Sequence, residues 1–176
     1  MRVSELKRVI REVPDFPKPG ILFYDVSTLF RDPQAFRATV DKFEERFRGE
    51  KIDAFAAIEA RGFVLGAALA YRLGVGLVLI RKQGKLPAET EAESYRLEYG
   101  EATLEIHRDA VGEGQRCVLI DDVLATGGTA AAAGRLVERL GATIEGFAFM
   151  IELGFLGGRK LLGDHGVFSL IRYDEG

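Results

Sequence analysis

Two kinds of apolar segment alternate over residues 52–173, and this alternation limits the possible folds more than any other feature of the chain. The runs IDAFAAIE, GLVLIRK, RCVLIDD, TIEGFAFMIEL and GVFSLIRY are short, apolar and rich in β-branched or aromatic residues. Between them lie GFVLGAALAYRLG and GGTAAAAGRLVERLG, whose apolar residues recur at helical spacing. Strands that are apolar almost throughout must be covered on both faces, and helices between them supply the cover. The pattern predicts an α/β fold with a mostly parallel central sheet flanked by helices. The 176 residues fit one domain, 1–176, with no repeat or composition shift to suggest a second.

The ends of this pattern are less regular. Val3, Leu6, Val9, Ile10 and Val13 follow helical spacing up to Pro14 and predict one amphipathic helix. DFPKPGILFYDVSTLF holds two prolines and Gly20 among apolar side chains, which predicts an ordered loop packed on the body. Asp32 followed by Pro33 reads as an N-cap with proline at N1, and Phe36, Val40, Phe43 and Phe47 give the next helix one apolar stripe. KQGKLPAETEAESYRLEYGEATLEIH interrupts the alternation, reading as a long charged excursion that ends in an antiparallel pair and serves as a lid.

Composition narrows the partners. With 47% apolar and 29% charged residues and a formal charge of -3, the chain reads as soluble and globular. No basic run supplies the phosphate-neutralising charge of a nucleic-acid binder, so no nucleic acid is expected. MRVSELKRVIREV has no continuous apolar block, so no membrane partner is expected. Cys117 is the only cysteine and sits in an apolar run, consistent with a reduced, cytoplasmic compartment.

The stretch VLIDDVLATGGT carries the chemistry. It lacks G-x-x-x-x-G-K-[ST], and neither GVGLVL nor GEGQRC completes a dinucleotide fingerprint. Gly127, Gly128 and Thr129 nevertheless follow a strand and open a helix, at the sheet edge where ligands of such folds bind. Turn N–H groups, the Thr126 and Thr129 hydroxyls and the positive end of the helix dipole suit a phosphate. Asp121 and Asp122 only accept hydrogen bonds, so beside a phosphate they need hydroxyls, a metal or a cation. A sugar phosphate supplies both groups: its phosphate takes the turn and its vicinal diol donates to the acids.

This motif resembles the phosphoribosyl pyrophosphate motif of the type I phosphoribosyltransferases. FPKPGILFYDVSTLF, EARGFVLGAALA, LIRKQGKLPAET, SYRLEYGEATLEIH and MIELGFLGGRKLL are similar, in order, to segments of the family's adenine-specific members. The resemblance implies the type I fold, with residues 1–33 as a small base-recognition hood and 83–104 as a mobile catalytic loop. It further implies a purine-salvage reaction in which adenine and phosphoribosyl pyrophosphate give AMP and pyrophosphate, with Mg2+ held mainly by the substrate. Asp121 and Asp122 would contact the ribose hydroxyls, and Ala125, Thr126, Gly127, Gly128 and Thr129 the 5-phosphate. Pyrophosphate would meet Arg61, Arg81, Lys85 and the peptide joining Glu59 to Ala60, often a cis bond. Arg81 would reach towards a partner subunit of a homodimer. Leu22, Phe23 and Tyr24 would read adenine, with Phe23 and Leu153 closing on its two faces. Tyr24 stands where relatives commonly carry a basic residue. Glu98 would manage a proton on the adenine imidazole.

Two other readings use the same fold: a 6-oxopurine phosphoribosyltransferase, and a regulator that senses phosphoribosyl pyrophosphate while binding RNA or DNA. The FPKPGILF loop and LEYG argue against the first, and the lack of a basic stripe argues against the second. His107 and His165 show no ligand spacing. Glu89, Glu91 and Glu93 read as a solvated acidic face.

Overall fold

The computed structural model describes residues 1–96 and 100–175. The chain opens with α1 (Val3–Val9), a two-stranded antiparallel ribbon of β1 (Arg11–Pro14) and β2 (Leu22–Asp25), and α2 (Ser27–Arg31). Then come α3 (Pro33–Phe47), β3 (Ala54–Ile58), α4 (Arg61–Leu73), β4 (Gly76–Lys82), β5 (Thr90–Arg96) and β6 (Glu101–His107). The last part holds β7 (Arg116–Leu124), α5 (Gly128–Arg139), β8 (Thr143–Leu153), two 3-10 turns and β9 (Val167–Tyr173). Seven strands form one sheet in the order β5-β6-β4-β3-β7-β8-β9. Its five central and right-hand strands, β4, β3, β7, β8 and β9, are mutually parallel, while β6 joins β4 antiparallel and β5 joins β6.

The two-residue period of the strands divides the core into two layers. On β3, Phe55 and Ala57 enter a cluster with Val40, Phe43, Leu65 and Leu69 of α3 and α4. Ala54, Ala56 and Ile58 enter the other, with Ala133, Leu136 and Val137 of α5. On β7, Val118 and Ile120 join the first and Cys117 and Leu119 the second. Burying each large apolar side chain contributes about 1.5–3 kcal/mol. The small residues of α4 let it lie directly on the sheet: a Cβ on Gly66 would stand 2.8 Å from the Cβ of Ala57. Asp32 caps α3 as expected, accepting from the N–H of Gln34 at 2.9 Å and of Ala35 at 3.0 Å, with Pro33 in the first turn.

The N-terminal reading needs correction. The first helix ends at Val9, and Val13, instead of closing an apolar helical stripe, faces Phe23 across the β1–β2 ribbon. The prolines and Gly20 do lie in a loop, the turn 15–21 at the ribbon's tip, but Phe16 and Ile21 there are exposed instead of packed on the body, and the rest of the segment forms β2 and α2. The antiparallel pair in the long excursion is present, but it extends the central sheet through Arg81↔Glu105 and Lys82↔Leu104. Its acidic run is also not simply solvated. Glu93 accepts from Arg135 and Arg139 of α5 at 2.5 Å each, and those hydrogen bonds hold its carboxyl below the usual range. Arg108 reaches Glu91 at 3.1 Å.

Candidate active site

The C-terminal ends of β3 and β7 and the first turns of α4 and α5 meet at one edge of the sheet. Arg61 is the first residue of α4, immediately beyond β3, so the short connection fixes its backbone against the end of β7. Its Nε donates a very short bond to Oδ2 of Asp122, a side chain only 7% exposed. The same guanidinium lies 5.7 Å from the centre of the Phe23 ring. One arginine thus meets both Asp122 and Phe23. Burial opposes its charge, but the carboxylate of Asp122 outweighs that and raises its pKa.

Asp121 behaves differently from its neighbour. Burial, and then the charge of Asp122 beside it, push its carboxyl well above the ordinary carboxylate range, although the N–H of Asp122 donates to its Oδ1 at 2.8 Å. The pair therefore presents one carboxylate held by a guanidinium and one carboxyl whose ionised form lacks a strong partner.

Glu59, directly after β3, is a half-buried hub, its side chain 9% exposed. It accepts from Arg81 Nε at 3.2 Å, Lys85 Nζ at 2.5 Å and the N–H of Lys82 at 3.0 Å. Burial works against its charge, yet Lys85, the Lys82 amide and Arg81 together lower its pKa to about 2. Arg81 Nη1 also donates to the carbonyl of Lys85 at 3.0 Å. The peptide between Glu59 and Ala60 is cis. Sequence reasoning named Glu59 for that peptide and missed its carboxylate. An acidic residue directly after an otherwise apolar strand was the available signal.

The glycine turn is built as expected. Gly127, at φ 87°, caps α5 and offers no side chain to the first-turn amides, which leaves donors for an anion. Thr126 is exposed and Thr129 half-buried. The Thr129 hydroxyl donates to the Tyr95 hydroxyl at 3.1 Å, a contact from β5 that the spacing of residues gave no hint of. On the base side, Phe23 meets Phe16 edge-on at 5.2 Å and Leu153 is half-buried at the end of β8. Tyr24 turns the other way: it is buried and packs on Tyr173 with ring centres 4.0 Å apart, so its side chain belongs to the core. Glu98 lies outside the described residues.

A second buried acid also escaped notice. Glu152, 3% exposed, accepts from Arg159 Nε and Nη2 at 2.6 Å each and from Arg172 Nη1 at 3.2 Å. The Arg159 hydrogen bonds hold its carboxyl below the usual range.

A mostly parallel sheet with paired acids and a glycine turn at one edge agrees with a type I phosphoribosyltransferase fold, and the matches to known proteins establish it. The phosphoribosyl transferase domain family matches residues 25–160, and the chain belongs to that family. Its relatives place it on one branch. The adenine phosphoribosyltransferases of Solibacter usitatus and Desulfitobacterium hafniense are 54% and 53% identical to it over 173 residues, 98% of this chain and 100% of theirs. The solved adenine phosphoribosyltransferase of Thermoanaerobacter pseudethanolicus matches with a TM-score of 0.95 at 53% identity, covering 97% of this chain and 99% of that one. That of Saccharomyces cerevisiae, complexed with an imino-altritol bisphosphate and adenine, matches with a TM-score of 0.90 at 45% identity, covering 96% and 97%.

Proposed function

We propose that the chain is a purine-salvage glycosyltransferase that converts adenine and 5-phospho-α-D-ribose 1-diphosphate to AMP and pyrophosphate. The observation that carries this reading is the meeting of the paired acids, the glycine turn and Arg61 at one sheet edge. Asp121 and Asp122 stand beside the Gly127–Gly128 turn, and Arg61 joins them to Phe23.

The adenine N9 lone pair forms the bond to the anomeric carbon as the bond to the diphosphate oxygen breaks, and the electron pair leaves with pyrophosphate. Positive charge grows on the ribose and negative charge on the leaving group. Asp121 and Asp122 accept from the ribose hydroxyls and stabilise the cationic ring, while Ala125, Thr126, Gly127, Gly128 and Thr129 hold the 5-phosphate. Arg61, Arg81, Lys85 and the amide after Glu59 receive the diphosphate. In the structure each of these cations is paired with a carboxylate, so diphosphate competes with Asp122 and Glu59 for them. Backbone groups of Leu22, Phe23 and Tyr24 distinguish the 6-amino group of adenine from a carbonyl, a task that needs no Tyr24 side chain. Glu98 takes up the proton that the imidazole portion of adenine gives up.

Magnesium fits this donor set as a companion of the substrate. Among the described residues no group of three His, Cys, Asp or Glu side chains could cage a metal. A hard cation would draw most of its oxygens from diphosphate, ribose hydroxyls and water, with Asp121 and Asp122 orienting those hydroxyls. When bound it neutralises the leaving group.

A homodimer and a cytoplasmic location belong to the same reading. Val64, Tyr71, Leu77 and Leu79 are exposed apolar residues on α4 and β4, and Arg81 follows Leu79 on the same strand at the border of that patch. A second copy covering the patch would bring its crevice towards Arg81. Among the described residues no helix is long and apolar enough to cross a membrane.

Spectrophotometric assay with adenine, hypoxanthine, guanine and xanthine tests the reaction. Turnover of adenine alone is expected; turnover of hypoxanthine without adenine rejects the reading. Glu98→Ala should lower kcat on the order of 100-fold, more than it weakens binding, and an unchanged kcat removes its proton-handling role.

A further inference from the structure

Two glycine turns from distant parts of the chain touch backbone to backbone behind the phosphate subsite. A Cβ on Gly158 would stand 2.2 Å from the carbonyl oxygen of Ala125 and 2.9 Å from the nitrogen of Gly127. A Cβ on Gly127 would stand 2.3 Å from the carbonyl oxygen of Gly158. All three distances lie inside van der Waals contact, and the atoms met are main chain, which cannot swing aside. The buried Gly158 is therefore a wall against which the turn of residues 125–128 is shaped.

The wall is itself tied down by the next residue. Arg159 forks onto both oxygens of Glu152 at 2.6 Å, and its Nη1 donates to the carbonyl of Val167 at 3.0 Å. Glu152 sits on β8, one residue before Leu153. The ion pair thus closes residues 153–158 into a loop whose first residue flanks the base and whose far end backs the phosphate turn. A planar guanidinium on a nearly inaccessible carboxylate fixes both distance and angle, which an ammonium cannot do.

We propose that Glu152 and Arg159 are positioning residues that act through Gly158 to set the shape of the 5-phosphate turn. This rests on the reading that residues 125–129 receive the phosphate of AMP. Displacing the turn costs charge-assisted hydrogen bonds between its amides and the phosphate. The expected loss is about 10- to 100-fold in AMP affinity.

The test measures AMP and ribose 5-phosphate binding by calorimetry, steady-state constants and melting temperature for wild type, Gly158→Ala and Arg159→Lys. In Gly158→Ala, AMP, ribose 5-phosphate and phosphoribosyl pyrophosphate should all bind more weakly by that factor, with the KM for adenine nearly unchanged. Arg159→Lys keeps the charge but loses the fork, and should weaken AMP in the same sense at a temperature where the variant is fully folded. It carries the test should Gly158→Ala not accumulate as folded protein. Wild-type affinity for AMP in the folded variants, with only the melting temperature lowered, reduces the pair to a structural clamp and overturns the inference while the proposed reaction stands. A wild-type chain that binds neither AMP nor ribose 5-phosphate instead overturns the functional reading on which the inference rests.

Discussion

Asp121 shows how one side chain's surroundings set a measurable property of the whole site. Its carboxyl is raised by burial and by the Asp122 charge, so below that raised value the protonated form predominates. Ribose hydroxyls donate hydrogen bonds and therefore prefer the ionised form, so binding a ribose ligand lowers the pKa and releases protons. By the same sign, affinity falls as pH drops through the raised value. Calorimetry of AMP binding in two buffers of different ionisation enthalpy should show release of a fraction of a proton, up to about one, beyond that seen with Asp121→Asn. Equal release by wild type and variant would rule out this linkage. Glu59 has the opposite sign for folding: its lowered pKa contributes stability that is present above the usual 4.5 and lost as pH falls towards about 2. Asp121, Asp122 and the glycine turn were legible in the sequence because they are contiguous. The roles of Glu59 and Gly158 were not, because each depends on partners brought from elsewhere by the fold.

At the scale of elements, three strands of the sheet end at this edge on an acid held by an arginine. Glu59 after β3 meets Arg81, Asp122 on β7 meets Arg61, and Glu152 on β8 meets Arg159. Apolar strands ending in acids were visible in the sequence, but which arginine answers which acid depends on strand order. The alternation of strand and helix was readable because uniformly apolar runs and helical spacing differ over many residues. The start of the chain was ambiguous, since Val9, Ile10 and Val13 satisfy a helix while Val13 can equally pair in a strand. Pairing with β2 decided it. The close seating of α4 gives a prediction about this level. Gly66→Ala would gain about 1 kcal/mol of helix propensity, yet its methyl would press on Ala57 at 2.8 Å. Overpacking costs about 1–3 kcal/mol, so net destabilisation is expected. The melting temperature should fall by about 2–4 °C for each kcal/mol lost. A variant that melts higher than wild type would show that α4 can lift from the sheet without cost.

At the scale of the whole molecule, the unanswered surface is the face shared by α4 and β4. The β4 side chains alternate: Val78 and Ile80 are buried in the α5 layer, while Leu77 and Leu79 point to the opposite face and remain 39% and 41% exposed. Tyr71, 87% exposed, and Val64 lie two helical turns apart on α4, on one side of that helix. Exposed apolar side chains on neighbouring elements are unfavourable in water unless another surface covers them, and a two-fold axis lets the same surface serve both copies. The expected state is a dimer of twice the 19.4 kDa chain mass. Replacing Leu79 by lysine places a charge among these exposed apolar residues, where in a dimer the desolvation penalty falls on both copies at once. Sedimentation should then report the single-chain mass, and turnover should fall with dissociation because, on the proposed reading, Arg81, two residues along β4, reaches the crevice of the second copy. A wild-type chain that sediments at 19.4 kDa at micromolar concentration while turning over adenine would remove both the dimer and the reach of Arg81. Full activity in a monomeric Leu79→Lys chain would keep the dimer but return Arg81 to its own Glu59.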